Sequence, residues 1–216
     1  MSELNLLKEQ TKEFLLNRYG VNGLVQSDID SLDFYISEKT HDFINVIYNP
    51  SLCIILQGAK SVGFGDEMSG YNEQRYLLTS TYMPLRVSLT DASKERPYIS
   101  LTLKFSMDEI YEVLKNVEIK EDNMQKSQKG VFFGDITEEI LEPVLRFILL
   151  LEKPKEKIKF LSDLAKKEIL YTLVTSDKSG YFLNKFAMQG SVSNKILHAV
   201  AKIKNEFTQK LNMKEV

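Results

Sequence analysis

Between Leu32 and Phe105 the chain is a succession of short apolar segments broken by turns, with no helical spacing among them. The segments are LDFYISEK, FINVIY, LCIILQ, KSVGFG, RYLLTS, LRVSLTD and YISLTLKF, each rich in β-branched or aromatic residues. Turn signals separate them at Asn49-Pro50, Gly58, Gly65-Asp66, Gly70, Pro84 and Pro97. Seven strands at about ten-residue spacing, with no helix between them, restrict this part of the chain to an antiparallel sandwich or barrel. Several strands, LCIIL above all, are apolar on both faces. One face then lines the interior while helices or a second sheet cover the other. Gln57-Gly58 is expected at the bend of a first hairpin, and Gly65-Asp66 at the turn of a second.

Helical patterns flank the strands. Residues 2–19 place Leu4, Leu7, Phe14 and Leu15 at helical spacing, and Gly20 and Gly23 stop that helix. Ser106 followed by Glu109 is a capping-box pattern opening SMDEIYEVLKNVEI. KEDNMQKSQKG reads as an exposed loop and GVFFGD as one more strand. DITEEILEPVLRFILLLEK is a strongly apolar helix in which Pro143 ends the first turns or introduces a kink, and Pro154 closes it. KEKIKFLSDLAKKEILYTLVTS is a second, amphipathic helix with Ile158, Leu161, Leu164, Ile169, Leu170 and Leu173 on one side. A short element, GYFLNKFAMQGS, and a long final helix complete the chain.

With 216 residues, 43% hydrophobic and 27% charged, the chain can bury the core of one large domain, or of a domain with an appendage. No apolar run approaches the roughly 18 residues a membrane helix needs, and the first 20 residues lack the pattern of a signal peptide. A single cysteine excludes an internal disulfide, so a cytoplasmic protein is expected. The net charge of −2 argues against a dedicated nucleic-acid binder. That average hides an asymmetry: residues 153–216 carry 13 lysines against 6 acidic residues, a basic appendage on an acidic body.

Catalytic patterns are missing. His41, between two strands, and His198, on the final helix, have no second ligand at metal-binding spacing. Cys53 sits inside SLCIIL, where a free thiol behaves as a small buried hydrophobe. No G-x-S-x-G elbow occurs, and GFGDEMSG lacks the lysine and the frame of a phosphate loop. Neither zinc-finger spacing nor a complete helix-turn-helix is visible. The residues therefore point to a binding or sensing module, with no catalytic residue, metal or cofactor.

From Tyr48 to Leu114 the sequence closely resembles the N-terminal domain of a branch of the AraC/XylS family of bacterial transcription regulators. The shared pattern is Pro50, an apolar run, and Gln57-Gly58-Ala59-Lys60, followed by Gly65-Asp66 and Tyr71. After these come YLLTS (Tyr76 to Ser80) with Pro84 and the step from Ala92 to Tyr98. The segment from Ala165 to Phe207 also resembles the region joining sensor to DNA-binding domain. The resemblance implies an α+β fold: a cupin-like antiparallel β-barrel, or double-stranded β-helix, followed by a C-terminal helical region. It divides the chain into a lead-in (1–31), a barrel sensor (32–135), a helical dimerisation and linker region (136–190), and the first helix of a helix-turn-helix domain (191–216). The rest of that DNA-binding domain is absent from this sequence, and a cut at the domain border is expected rather than a short gene.

The implied partners are a small-molecule effector, a second copy of the chain, and DNA through the missing domain, with no membrane. For the effector pocket the expected residues are Cys53, Ile55, Gln57, Tyr76, Val87, Tyr98 and Ser100. Subunit pairing is assigned to the helix around Ile140 to Leu151, which is more apolar than one buried face requires. Two alternatives stay open: a metal-free cupin-like enzyme, and a sensor of oxidants or electrophiles acting through Cys53.

Overall fold

The computed structural model describes residues 3–117 and 130–188. A helix, α1 (Glu3–Tyr19), precedes nine strands: β1 (Gly23–Gln26), β2 (Leu32–Ser37), β3 (His41–Tyr48), β4 (Ser51–Gln57), β5 (Ala59–Phe64), β6 (Glu67–Asn72), β7 (Arg75–Thr79), β8 (Met83–Asp91) and β9 (Tyr98–Lys104). Then come α2 (Met107–Leu114), β10 (Val131–Asp135), α3 (Glu138–Leu149), α4 (Lys155–Thr175) and α5 (Asp177–Met188).

The strands pair in a nested order: β2 with β9, β3 with β8, β4 with β7, β5 with β6, all antiparallel. These pairs fall alternately on two sheets, one ordered β1-β2-β9-β4-β7-β10 and the other β3-β8-β5-β6. Nesting of this kind is the double-sheet winding of cupin-like folds. The two sheets remain separate ladders, so the expected α+β, cupin-like body is a sandwich rather than a closed barrel.

That arrangement corrects the reading of Gln57-Gly58. β4 and β5 belong to different sheets, so Gly58 turns a corner between layers instead of closing a hairpin. It does so at φ +93°, and a Cβ there would lie 2.4 Å from the Asp91 carbonyl oxygen. Gly65-Asp66, with Gly65 at φ +57°, does close the β5–β6 hairpin. β1, a strand the sequence did not announce, pairs with β2 at the sheet edge.

The six-stranded sheet is the middle layer, and its two faces serve different cores. Leu52, Ile54 and Leu56 of β4, with Ile99, Leu101 and Leu103 of β9, pack under the helices. Cys53 and Ile55 face the four-stranded sheet, where Val62, Leu85, Val87 and Leu89 meet them. Every residue of β4 up to Leu56 is buried, which is why its sequence shows no alternation.

The helices complete the apolar core. Ser106 and Glu109 form both halves of the capping box at the start of α2. α3 runs through Pro143 without ending there. Its residues Ile140, Leu141, Val144, Leu145, Phe147, Ile148 and, just beyond, Leu151 are all buried in the same-chain core. This overturns the assignment of Ile140 to Leu151 to subunit pairing: the extra apolar surface is consumed between the sheet and α1 and α4. On α4, Ile158, Ile169, Leu170 and Leu173 are buried, whereas Leu164 lies on the opposite side at 54% exposure, with Leu161 intermediate. Among the described residues no helix is long and apolar enough to cross a membrane. The KEDNMQKSQKG loop, apart from Gly130, and the helix of 191–216, with His198, lie outside the described residues.

Candidate functional site

Alternation along the strands puts a mixed set of side chains between the two sheets. On β9, Tyr98, Ser100 and Thr102 point away from the apolar core; Tyr35 and Asp33 of β2 stand opposite Ser100 and Thr102. From the facing sheet come Ile44, Val46 and Tyr48 of β3, Lys60 of β5, and Val87 and Leu89 of β8. Together they line a cleft of about 360 Å³, within the range of small-ligand sites. Leu24 and Ile47, at 67% and 65% exposure, mark its rim.

Lys60 is the unusual member of this lining. Only 5% of it is exposed, and its Nζ donates to the Tyr48 hydroxyl at 3.0 Å. The same Nζ lies 5.5 Å from the Tyr48 ring centroid and 5.4 Å from that of Tyr71, both within cation–π range. No acidic side chain among the described residues pairs with it; its neighbours are the phenols of Tyr48, Tyr71 and Tyr98 and the Cys53 thiol. By contrast Lys104, at the rim, is neutralised by Asp33 at 2.8 Å.

Burial alone would drive the Lys60 amine towards its neutral form, but attraction to the negative charge that Tyr48, Tyr71 and Tyr98 take on when they ionise outweighs this and holds it well above the usual lysine value. Burial raises all three tyrosines, against the pull of Lys60, and Tyr98 is pushed up to about 12. Near neutral pH the cluster is therefore one cation among three neutral phenols. The sign for stability follows. In the unfolded chain tyrosine releases its proton near pH 10 and lysine slightly above, while the folded chain retains both. Stability is thus complete below about pH 10 and falls as the pH rises beyond it. Urea midpoints should be level from pH 7 to 9 and drop towards pH 11, with Tyr98→Phe flattening the drop.

Of the residues expected in the pocket, Val87, Tyr98 and Ser100 line the cleft. Cys53 and Ile55 face the same layer from behind the lining, and the Cys53 Sγ sits 3.5 Å from the Thr102 hydroxyl. Gln57 and Tyr76 are elsewhere. Gln57 donates to the Pro97 carbonyl at 2.8 Å and accepts from Lys12 of α1 at 3.1 Å, fastening helix to corner. Tyr76 belongs to the core under the helices and covers Gly134, where a Cβ would lie 2.2 Å from its ring. A one-residue change of parity separates Tyr76 from the inward-facing Leu77.

Reasoning from sequence passed over Lys60, Tyr48, Tyr35 and Thr102. A signal for Lys60 existed: it has the same strand parity as Val62 and Phe64, so a lysine occupied the apolar side of β5. His41 lies at the cleft with its Nδ1 2.7 Å from the Asp42 carbonyl oxygen. Among the described residues no group of three or more His, Cys, Asp or Glu is placed to hold a metal ion. The arrangement offers a cation, hydroxyls and an apolar wall, which suits recognition of a ligand.

A search of curated proteins finds no matching sequence. Among solved structures the chain resembles an apo variant of ToxT from Vibrio cholerae strain SCE256, with a TM-score of 0.52 at 8% identity, over 84% of this chain and 68% of that one. It also resembles ToxT from Vibrio cholerae O395, with a TM-score of 0.48 at 9% identity, over 86% of this chain and 67% of that one. At such identities the first likeness speaks for the fold alone, which agrees with the sandwich and helices described above. The family model for the AraC-type transcriptional regulator N-terminus matches residues 28–181, a span that takes in β2 to β10, the helices α2 to α4 and every cleft residue named above except Leu24. The chain belongs to the family of AraC-type transcriptional regulator N-termini.

Proposed function

We propose that this chain is the sensing part of a cytoplasmic transcription regulator, and that a small-molecule effector binds in the cleft between the sheets. The observation that carries this reading is the cleft itself: an apolar-walled cavity with a few polar groups, in a domain whose family is regulatory. Ligand binding is supported by the lining, in which a few polar groups stand among mostly apolar side chains. It is supported also by Cys53, which at 1% exposure has little access to an oxidant or electrophile. The effector acts by preferring one arrangement of the sensor and its attached helices over another.

Pairing of two copies and DNA contact through a further domain belong to the same proposal. With Ile140 to Leu151 buried, pairing is better supported on α4, where Phe160, Leu164 and Tyr171 are exposed along one side. The effector site is tested by filling it. A thermal-shift screen of small organic compounds on the wild-type chain should give ligands that raise the melting temperature. Ser100→Trp, which puts an indole into the cleft, should abolish those shifts. Stabilisation that persists in Ser100→Trp would place the ligands elsewhere and remove the cleft from the argument.

A further inference from the structure

We propose that the cleft selects a singly charged amphipathic organic acid, with its carboxylate against Lys60, Tyr48 and Tyr98 and its apolar body along Ile44, Val46, Val87 and Leu89. This rests on the effector-site reading and gives the ligand a chemical class.

The first argument is charge. An ammonium taken out of water is costly unless it is paired. Lys60 has one hydroxyl and two aromatic faces about it and no carboxylate among the described residues. The second is hydrogen-bond polarity. The Tyr48 oxygen already accepts from Lys60, so its own O–H is left to donate outwards. Among the described residues, the Tyr48 hydroxyl is the hydrogen-bond partner of Lys60 Nζ, which leaves two further N–H groups to donate. The Tyr98 hydroxyl is buried beside Ser100 without a hydrogen bond of ordinary geometry. This end of the cleft therefore presents donors, and an acceptor-only oxyanion is their complement. The third argument is count and position. One buried cation matches one negative charge, whereas a phosphate dianion would leave a charge uncompensated in an apolar wall. Lys60 is buried and the rim residues Leu24 and Ile47 are exposed, so the acid group goes in first and the apolar part trails towards the opening.

The test uses matched acids and amides, which differ in charge and hardly in shape. Octanoate and octanamide, and 4-phenylbutanoate and its amide, are titrated calorimetrically into the wild-type chain, Lys60→Met and Tyr48→Phe. Each acid is expected to bind wild type at least tenfold more tightly than its amide. Lys60→Met should bring the acid down to the amide's affinity and leave the amide unchanged. Tyr48→Phe, which keeps the ring and the lysine, should weaken the acid several-fold; it carries the test if Lys60→Met does not fold. Equal binding of acid and amide by wild type would overturn the proposal, as would acid binding unaffected by either variant. If neither probe binds while Ser100→Trp still abolishes ligands found by screening, the charge assignment fails and the effector cleft stands. If screening finds no cleft ligand either, the effector reading has failed first.

Discussion

Gly58→Ala is expected to lower stability by about 3 kcal/mol, combining a left-handed backbone penalty of about 1–2 kcal/mol with the cost of overpacking. At φ +93° an L side chain is strained, and the added Cβ would meet the Asp91 carbonyl oxygen at 2.4 Å and the Tyr98 ring at 3.0 Å. Neither neighbour is free to yield, since β8 and β9 are both paired in their sheets at that end. The Gly58 N–H donates to Glu73 at 3.0 Å, and Gln57 is tied to Pro97 and Lys12. For a domain of this size the loss corresponds to a melting temperature lower by about 6–12 °C. Lys60 lies two residues beyond the corner, so ligands found in the cleft should also weaken. A variant that melts like wild type would show that the corner is pliable and does not set the position of Lys60.

Phe147→Ala is expected to cost about 3–5 kcal/mol, the range for truncating a buried phenylalanine. Phe147 is 1% exposed in the core between the sheet and the helices, and its loss opens a cavity lined by residues of α3 and its neighbours. The urea midpoint should fall with little change in slope, and the mass in solution of the folded fraction should stay as in wild type. A change of oligomeric state with undiminished stability would return this helix to an intersubunit role.

Much of the architecture was legible. The strand series, the Gly65-Asp66 hairpin, the Ser106–Glu109 capping box and the long apolar helix could be read because each rests on neighbours close in sequence. Turn residues demand particular φ values, caps act over three positions, and a helix repeats every 3.6 residues. The pocket was half legible. Val87, Tyr98 and Ser100 line the cleft whereas Tyr76 and Gln57 do not, because in a strand buried on both faces nothing in the sequence distinguishes the two sides. Lys60 was seen as part of the Gln57-Gly58-Ala59-Lys60 pattern, yet its role depends on Tyr48, Tyr71 and Tyr98, which come from three other strands.

The sequence by itself determined that this chain is a strand-rich body with helices before and after it, that it belongs among regulator N-termini, and that it lacks local catalytic patterns. Only the tertiary structure decided that Gly58 passes between layers, that Ile140 to Leu151 close the chain's own core, and that Lys60 stands inside a cleft with no acid beside it among the described residues. The physical reason is range. Propensity and periodicity act over a few residues, whereas sheet membership, facing and burial are set by long-range pairing and by which surfaces are left for water.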